Sequence, residues 1–254
     1  MTSTLPKVIL LSNIYNEEYL LPFWCEHHKK MFDHAIIVDY GCTDKSLDII
    51  EEICPNWEIR KSKNVSFGAI EIDREFNDIE SEVDGFKIIL NTTEFLMCDQ
   101  LLNTHLSNFD SNECLEIKTI SPYSDITYNP LNLEELFNGF ERYSEDRYFR
   151  SPRYIHSYTS CKYGLGRHSV KVPYKNSNNL LIVWMGFYPW NDHIIKRRLQ
   201  CKQNIPESDV KKGYSYHHFW TEDKMNEERK KLLSNSKDIK EHDLYQRIIS
   251  NGFY

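Results

Sequence analysis

Short, continuously apolar runs recur through the first hundred residues, and they constrain the fold more than any other feature of this chain. Lys7-Val8-Ile9-Leu10-Leu11-Ser12, Ala35-Ile36-Ile37-Val38-Asp39 and Phe86-Lys87-Ile88-Ile89-Leu90 lack the alternation of a half-solvated strand. Such runs read as strands buried on both faces. Trp57-Glu58-Ile59-Arg60 reads as a further strand. Between these runs the apolar spacing turns helical. It places Leu20, Leu21, Trp24 and His28 in one helix, Leu47, Ile50 and Ile53 in a second that Pro55 stops, and Ile72, Phe76, Ile79 and Val83 in a third. Thr43-Asp44-Lys45-Ser46 supplies capping chemistry for the second helix. Strand-helix alternation implies right-handed crossovers, hence an α/β fold with a Rossmann-like, mainly parallel sheet and helices on both faces. Ligands of such sheets sit beyond the carboxyl ends of the strands. Asn16-Glu17, Asp39 and Asn91 to Glu94, which follow three of the strands, would face one shared crevice.

Past residue 115 the pattern becomes irregular and aromatic, with strands expected at Leu115–Ile117 and Ile155–Tyr158. A final charged helix is expected from Thr221, carrying Met225, Arg229 and Leu232. No repeat, low-complexity tract or Pro/Gly/Ser linker interrupts the chain, so one domain is expected over residues 1–254, with a Rossmann-like half over 1–100 and an irregular half over 101–254. The 38 acidic residues outnumber the 31 Lys and Arg, for a net charge of −7. That balance argues against a nucleic-acid binder, which needs a basic face, but leaves room for a local basic pocket. Seven scattered cysteines with no CxxC pair read as small apolar fillers in a reducing compartment. No signal-peptide pattern and no membrane-length apolar run occurs, so a cytoplasmic protein without a membrane span is expected.

Several chemistries lack their motif. No Gly-rich fingerprint follows the first strand, and GxxxxGK[ST], GxSxG and HExxH are absent. Ser12 to Glu18 holds no Gly, Lys or Arg, unlike the basic loop of a nucleotidyltransferase. Four segments instead occur in order: Asn13-Ile-Tyr-Asn-Glu-Glu18, Glu26-His-His28, Ile36-Ile-Val-Asp-Tyr-Gly-Cys-Thr-Asp44, and Lys87-Ile-Ile-Leu-Asn-Thr-Thr-Glu-Phe-Leu96. Together they resemble the nucleotide-sugar-binding half of GT-A-fold, family-2-type glycosyltransferases over roughly residues 7–100. His218-Phe-Trp-Thr-Glu222 resembles an H-Y-x-T segment of related sequences. The resemblance implies an inverting transfer of a sugar from a nucleotide diphosphate sugar, UDP-sugars favoured, to a glycan or other hydroxyl acceptor. A catalytically silent sugar- or nucleotide-binding protein of the same fold is the alternative.

The resemblance also implies a divalent cation, Mn²⁺ or Mg²⁺, held by a D-x-D pair. Here those two positions are Asn91 and Thr93, and only Glu94 is acidic. Two readings follow: a cation held loosely by Glu94 and His218, or basic residues neutralising the diphosphate instead. At the strand end, Asp39 suits a base-edge N–H or a ribose hydroxyl. Tyr15 reads as a base-stacking ring or core, and Asn16 as a donor contact or a turn residue. Asp73 and Arg74 face the crevice or form a surface ion pair. Asn91, Thr93 and Glu94 complete the donor set that the resemblance implies. Trp184 and Trp190 offer acceptor platforms or core packing. Asp192, after that aromatic segment, is the candidate base for the acceptor proton, with Glu207 and Asp209 as rivals. His27 and His28 read as packed or solvent-facing. His168 and His217 fall where loops carry function, and the basic run Lys196-Arg197-Arg198 reads as a phosphate contact or a solvated helix face.

Overall fold

The computed structural model describes residues 5–64, 66–145 and 151–252. Strands β1 (Val8–Ile14), β2 (His34–Asp39), β3 (Glu58–Lys61) and β4 (Phe86–Ile89) form a parallel block in the order β4-β1-β2-β3. Every residue of β1 is buried. Alternate side chains of β1 feed two apolar layers. Val8, Leu10 and Ile14 join Ala35, Ile37 and Trp24 on one face; Ile9 and Leu11 join Ile36, Val38, Ile72, Phe76 and Ile79 on the other. Helices α1 (Leu21–His28) and α2 (Ser46–Ile53) supply the first layer, and α3 (Ala69–Ser81) the second. The expected two-faced α/β arrangement is present, and it explains why the strands lack polar alternation.

Local chemistry sets the helix starts. Pro22 lies in the first turn of α1, where its missing N–H costs nothing. Asp44 Oδ1 accepts the Ser46 amide at 3.0 Å where α2 begins. Trp24 Nε1 donates to the Glu94 carbonyl at 2.9 Å, clamping α1 to β5 (Glu94–Cys98). His27 Nε2 donates to the Leu96 carbonyl at 2.6 Å, and His28 Nε2 accepts the Leu96 amide at 3.1 Å. Both histidines are packed, in keeping with the first of their two readings.

The later half extends the sheet. Past the short helix α4 (Leu102–Leu106) come β6 (Cys114–Tyr123), α5 (Leu133–Asn138), β7 (Arg142–Ser144), β8 (Arg153–His156) and β9 (Lys175–Trp184). β8 lies antiparallel between β4 and β6, while β9 runs parallel to β6 and antiparallel to β5. Helices α6 (Asp192–Gln200), α7 (Glu207–Lys211) and α8 (Glu222–Ser234) follow, then the two-residue edge strand β10 (Lys237–Asp238) and α9 (Asp243–Asn251). The expected charged helix is α8, with Thr221 Oγ1 accepting the Lys224 amide at 3.2 Å. It is not the last helix, because the buried pair Tyr245 and Ile248 anchors α9. The expected strand at 115–117 is ten residues long, and the one expected at 155–158 lies at 153–156. All seven cysteines are free thiols, and no helix among the described residues is long and apolar enough to cross a membrane.

Candidate functional site

The carboxyl ends of β1 and β4 open into a cavity of about 240 Å³. Its oxygen-bearing rim comes from the first half: Asn13, Glu17, Asp73 and Asn91-Thr92-Thr93. Its cations come from the second half: Arg153 on β8, Arg167 on the turn 165–167, and Arg197 and Arg198 on α6. Three of the four guanidinium groups lie within 4.0 Å of a carboxylate, and the fourth, Arg198, has none among the described residues.

Arg153 forks onto Glu94, with Nε to Oε2 at 2.8 Å and Nη2 to Oε1 at 2.7 Å. The side chains are 3% and 6% exposed, so the pair is effectively dry. The Asn91 amide also donates to Glu94 Oε2 at 2.8 Å, closing the loop onto β5. At its other end Arg153 Nη1 donates to the Gly166 carbonyl at 2.8 Å and sits 3.0 Å from His168 Nδ1. Arg153 therefore braces the turn that carries Arg167. Gly166 and Arg167 are both left-handed there, with φ of 69° and 62°. Only glycine adopts that region freely, and a Cβ at Gly166 would lie 2.8 Å from His168.

Arg167 spans the strand ends. Nη1 donates to Asn13 Oδ1 at 3.0 Å and Nη2 to Asn91 Oδ1 at 3.1 Å, while Nε stands 3.8 Å from Asp73 Oδ1. Asp73 Oδ2 accepts the Gly166 amide at 2.7 Å. Burial pushes the Asp73 carboxyl above its ordinary range, against the pull of Arg167. On α6, Arg197 forks onto Glu17 at 2.5 and 2.7 Å, and that carboxylate outweighs burial and raises the Arg197 pKa. Arg198 Nη1 donates to the Gly186 carbonyl at 3.1 Å, and its guanidinium lies 4.3 Å from the Phe187 ring centre. Burial first, then the Arg197 charge, push its pKa down to about 10. Burial, then Arg153, also lower the Arg167 pKa. The Nε–H groups of Arg167 and Arg198 are buried without an acceptor among the described residues. A dry guanidinium with an open donor attracts an anion.

Among the residues singled out from sequence, Asp73, Asn91, Thr93, Trp184 and His218 line this cavity, and Glu94 lines the adjoining one under Arg153. Trp184 stands opposite Glu94 in the β5–β9 register, its ring so close over Gly186 that a Cβ there would fall 2.0 Å from it. Burial, then His217, Arg198 and Arg197, lower the His218 pKa to about 3, so its imidazole is neutral. Asn16, at φ 54°, lines a second cavity with Glu17 and Arg197, and its Oδ1 accepts the Thr43 amide at 2.7 Å.

Glu17, His168, His217, Arg197 and Arg198 line the crevice as well, whereas Tyr15, Asp39, Arg74, Trp190 and Asp192 lie outside its lining. Tyr15 packs towards Phe67, and its hydroxyl accepts from Gln203 at 3.2 Å. Asp39 Oδ1 accepts the Gly41 and Cys42 amides at 3.0 and 2.8 Å, turning the loop after β2. Arg74 is exposed, because neighbours on a helix point about 100° apart and Asp73 takes the inward position. Trp190 packs on Phe187 and donates Nε1 to Asn226 Oδ1 at 3.0 Å. Asp192 is exposed in the first turn of α6, just after the capping residue Asn191. Arg153 was not anticipated: a lone arginine in an irregular stretch has no periodic signature. Its one signal is its place in the run Arg153 to His156 beside β4.

A hard divalent cation needs charged or strongly polar oxygens pointing at it. At residues 91–94 the candidates are Asn91 Oδ1, already held by Arg167, the Thr93 hydroxyl, and Glu94, both of whose oxygens meet Arg153. This donor set does not fit the cation that the D-x-D resemblance implies. Elsewhere, Glu80, His156 and Cys161 are fully buried, and their ligand atoms lie within 4.8 Å of one another, a group with the atoms to hold an ion.

Neither a protein-family model nor a curated protein matches the chain. Among solved structures, it is similar to S. aureus TarS 1-349, at 19% identity and a TM-score of 0.40 over 59% of this chain and 47% of that one. The same protein in complex with UDP-GlcNAc gives 17% identity and a TM-score of 0.37, over 59% and 45%. Glucosyl-3-phosphoglycerate synthase from Mycobacterium tuberculosis, in complex with Mn²⁺, UDP and glucosyl-3-phosphoglycerate, gives 14% and 0.33, over 48% and 46%. The chain spans less than half the length of each of these.

Proposed function

We propose that this chain transfers a sugar from a nucleoside diphosphate sugar, a UDP-sugar first among them, to a hydroxyl of a glycan or other acceptor, with inversion. One observation carries the reading. A chain of net charge −7 gathers four guanidinium groups at the strand ends where α/β sheets bind ligands. The motif order over residues 7–100 supports the donor class, and the arginines suit its diphosphate.

When the glycosidic bond to the donor breaks, negative charge grows on the departing diphosphate. Guanidinium groups already oriented by Asn13, Asn91 and the Gly186 carbonyl meet that charge without reorganising, which is the usual route to a lower barrier. Tyr15, Asn16 and Asp39 are assigned to the nucleoside side, and Trp184 offers an apolar face for a sugar ring. Trp190 is assigned to the acceptor side. The acceptor hydroxyl loses a proton as it attacks, and Asp192 is assigned as the base that takes it. Asp73 is the rival, because burial raises its pKa and it lines the crevice itself.

The test is nucleoside diphosphate release from a panel of nucleotide sugars, with and without a mixture of glycan acceptors and Mn²⁺. Release above the uncatalysed rate from at least one donor is expected. Asp192→Asn should slow release while leaving donor affinity unchanged; the same split in Asp73→Asn would move the base there. Donor binding with no release under any condition would favour the silent binding protein.

A further inference from the structure

We propose that the crevice binds its diphosphate through Arg167 and Arg198 without a divalent cation. The proposal rests on the donor reading above and names how that donor is held. Its first support is the state of Glu94, the one carboxylate in the loop where a cation would sit. Both oxygens are engaged by Arg153 at 2.7–2.8 Å, and one also accepts the Asn91 amide. A cation arriving there would displace an arginine fork from a pair only 3% and 6% exposed, and would meet the Arg153 charge as it did so.

The second support is independent of that loop. Arg167 and Arg198 are 6% and 9% exposed, they line the same cavity, and each keeps a buried Nε–H with no acceptor among the described residues. They approach from opposite sides in chain order, one on the turn after β8 and the other on α6. Arg153 and Arg197 differ from them: each already holds a carboxylate in a two-pronged fork. The crevice thus separates structural arginines from arginines with unspent hydrogen bonds. A diphosphate brings negative oxygens to Nε–H groups that make no hydrogen bond among the described residues, the nearest carboxylate to Arg167 standing 3.8 Å off. Its charge is neutralised by two guanidinium groups rather than by one metal ion. Phosphate oxygens suit the planar fork of arginine particularly well.

Titration calorimetry on the full chain tests this, with pyrophosphate and UDP as probes, each in excess EDTA and in Mn²⁺. Affinities equal within about twofold in the two conditions are expected. Arg198→Met and Arg167→Met should each weaken both probes by roughly tenfold to a hundredfold, the effect of losing a charge-assisted contact. Arg198→Lys, which keeps the charge and loses the fork, guards against a variant that merely unfolds; it should be folded by circular dichroism and still weakened. Glu94→Gln should change affinity by the same factor in EDTA and in Mn²⁺, since Glu94 faces arginine and holds no cation. Binding of both probes only with Mn²⁺, abolished by Glu94→Gln, would overturn the cation-free clamp yet keep the donor reading. Pyrophosphate binding in EDTA with no affinity for UDP or any other nucleoside diphosphate would keep the clamp and overturn the donor. No binding of pyrophosphate under either condition would overturn the clamp outright.

Discussion

His27 and His28 adjoin in sequence yet carry their protons on different nitrogens. His27 must hold its proton on Nε2 to reach the Leu96 carbonyl, whereas His28 leaves Nε2 bare for the Leu96 amide and meets the Trp24 carbonyl through Nδ1. A second proton would find no acceptor among the described residues at the buried His27 Nδ1, and the Leu96 amide already occupies His28 Nε2. Burial lowers the His27 pKa to about 4, against the pull of its backbone partner, while an unfolded histidine titrates near 6.5. Between those values the unfolded chain binds a proton that the folded one refuses. Stability is therefore complete above pH 6.5 and falls as acid is added down to pH 4, by roughly 3 kcal/mol for this one ring. Urea denaturation across that window should show the slope, and His27→Gln should flatten part of it. An identical slope in the variant would mean that other groups carry the acid sensitivity. Residue identity alone did not reveal this, because the clamp partner Leu96 lies far along the chain.

At the scale of elements, legibility followed sequence distance. β1, β2, β4 and α3 were readable because an apolar run or a helical period is a local signal, expressed within a dozen residues. β5 was not, since Glu94–Cys98 completes its pairing with β9 more than eighty residues later. The candidate site divided the same way. Asn91 and Glu94 were readable as strand-end polar residues, but the arginine facing Glu94 comes from β8, 59 residues further along the chain. The connection from β9 to α6 makes a sharp prediction of its own. Gly186 has no Cβ because the Trp184 ring occupies that space, 2.0 Å from where one would lie. Gly186→Ala should lower stability by about 1–3 kcal/mol in the native background through overpacking. In a Trp184→Ala background the same change should cost almost nothing, a coupling that a double-mutant cycle in urea measures directly. Additive costs would show that the backbone, not the indole, excludes the alanine.

Taken whole, the molecule draws its crevice from two stretches that never alternate. The carboxylate and amide side chains of the lining span residues 13–91, and its arginines span 153–198. An overall negative charge keeps such a site from attracting polyanions generally, while the enclosed arginines attract one small anion that fits. Arg198 bears on more than recognition. It holds a buried charge with no carboxylate beside it among the described residues, over Phe187, and such a group is a standing cost to the folded state. Arg198→Met keeps a long apolar stem on that ring. The variant should melt at or above the temperature of the parent protein without ligand, while the rise in melting temperature on adding pyrophosphate shrinks. A lower melting temperature without ligand would show that the guanidinium is a net support. The expected result has an evolutionary edge. Lineages selected only for thermal persistence would lose this arginine early, so its retention in a heat-stable descendant would itself mark a chain still in use.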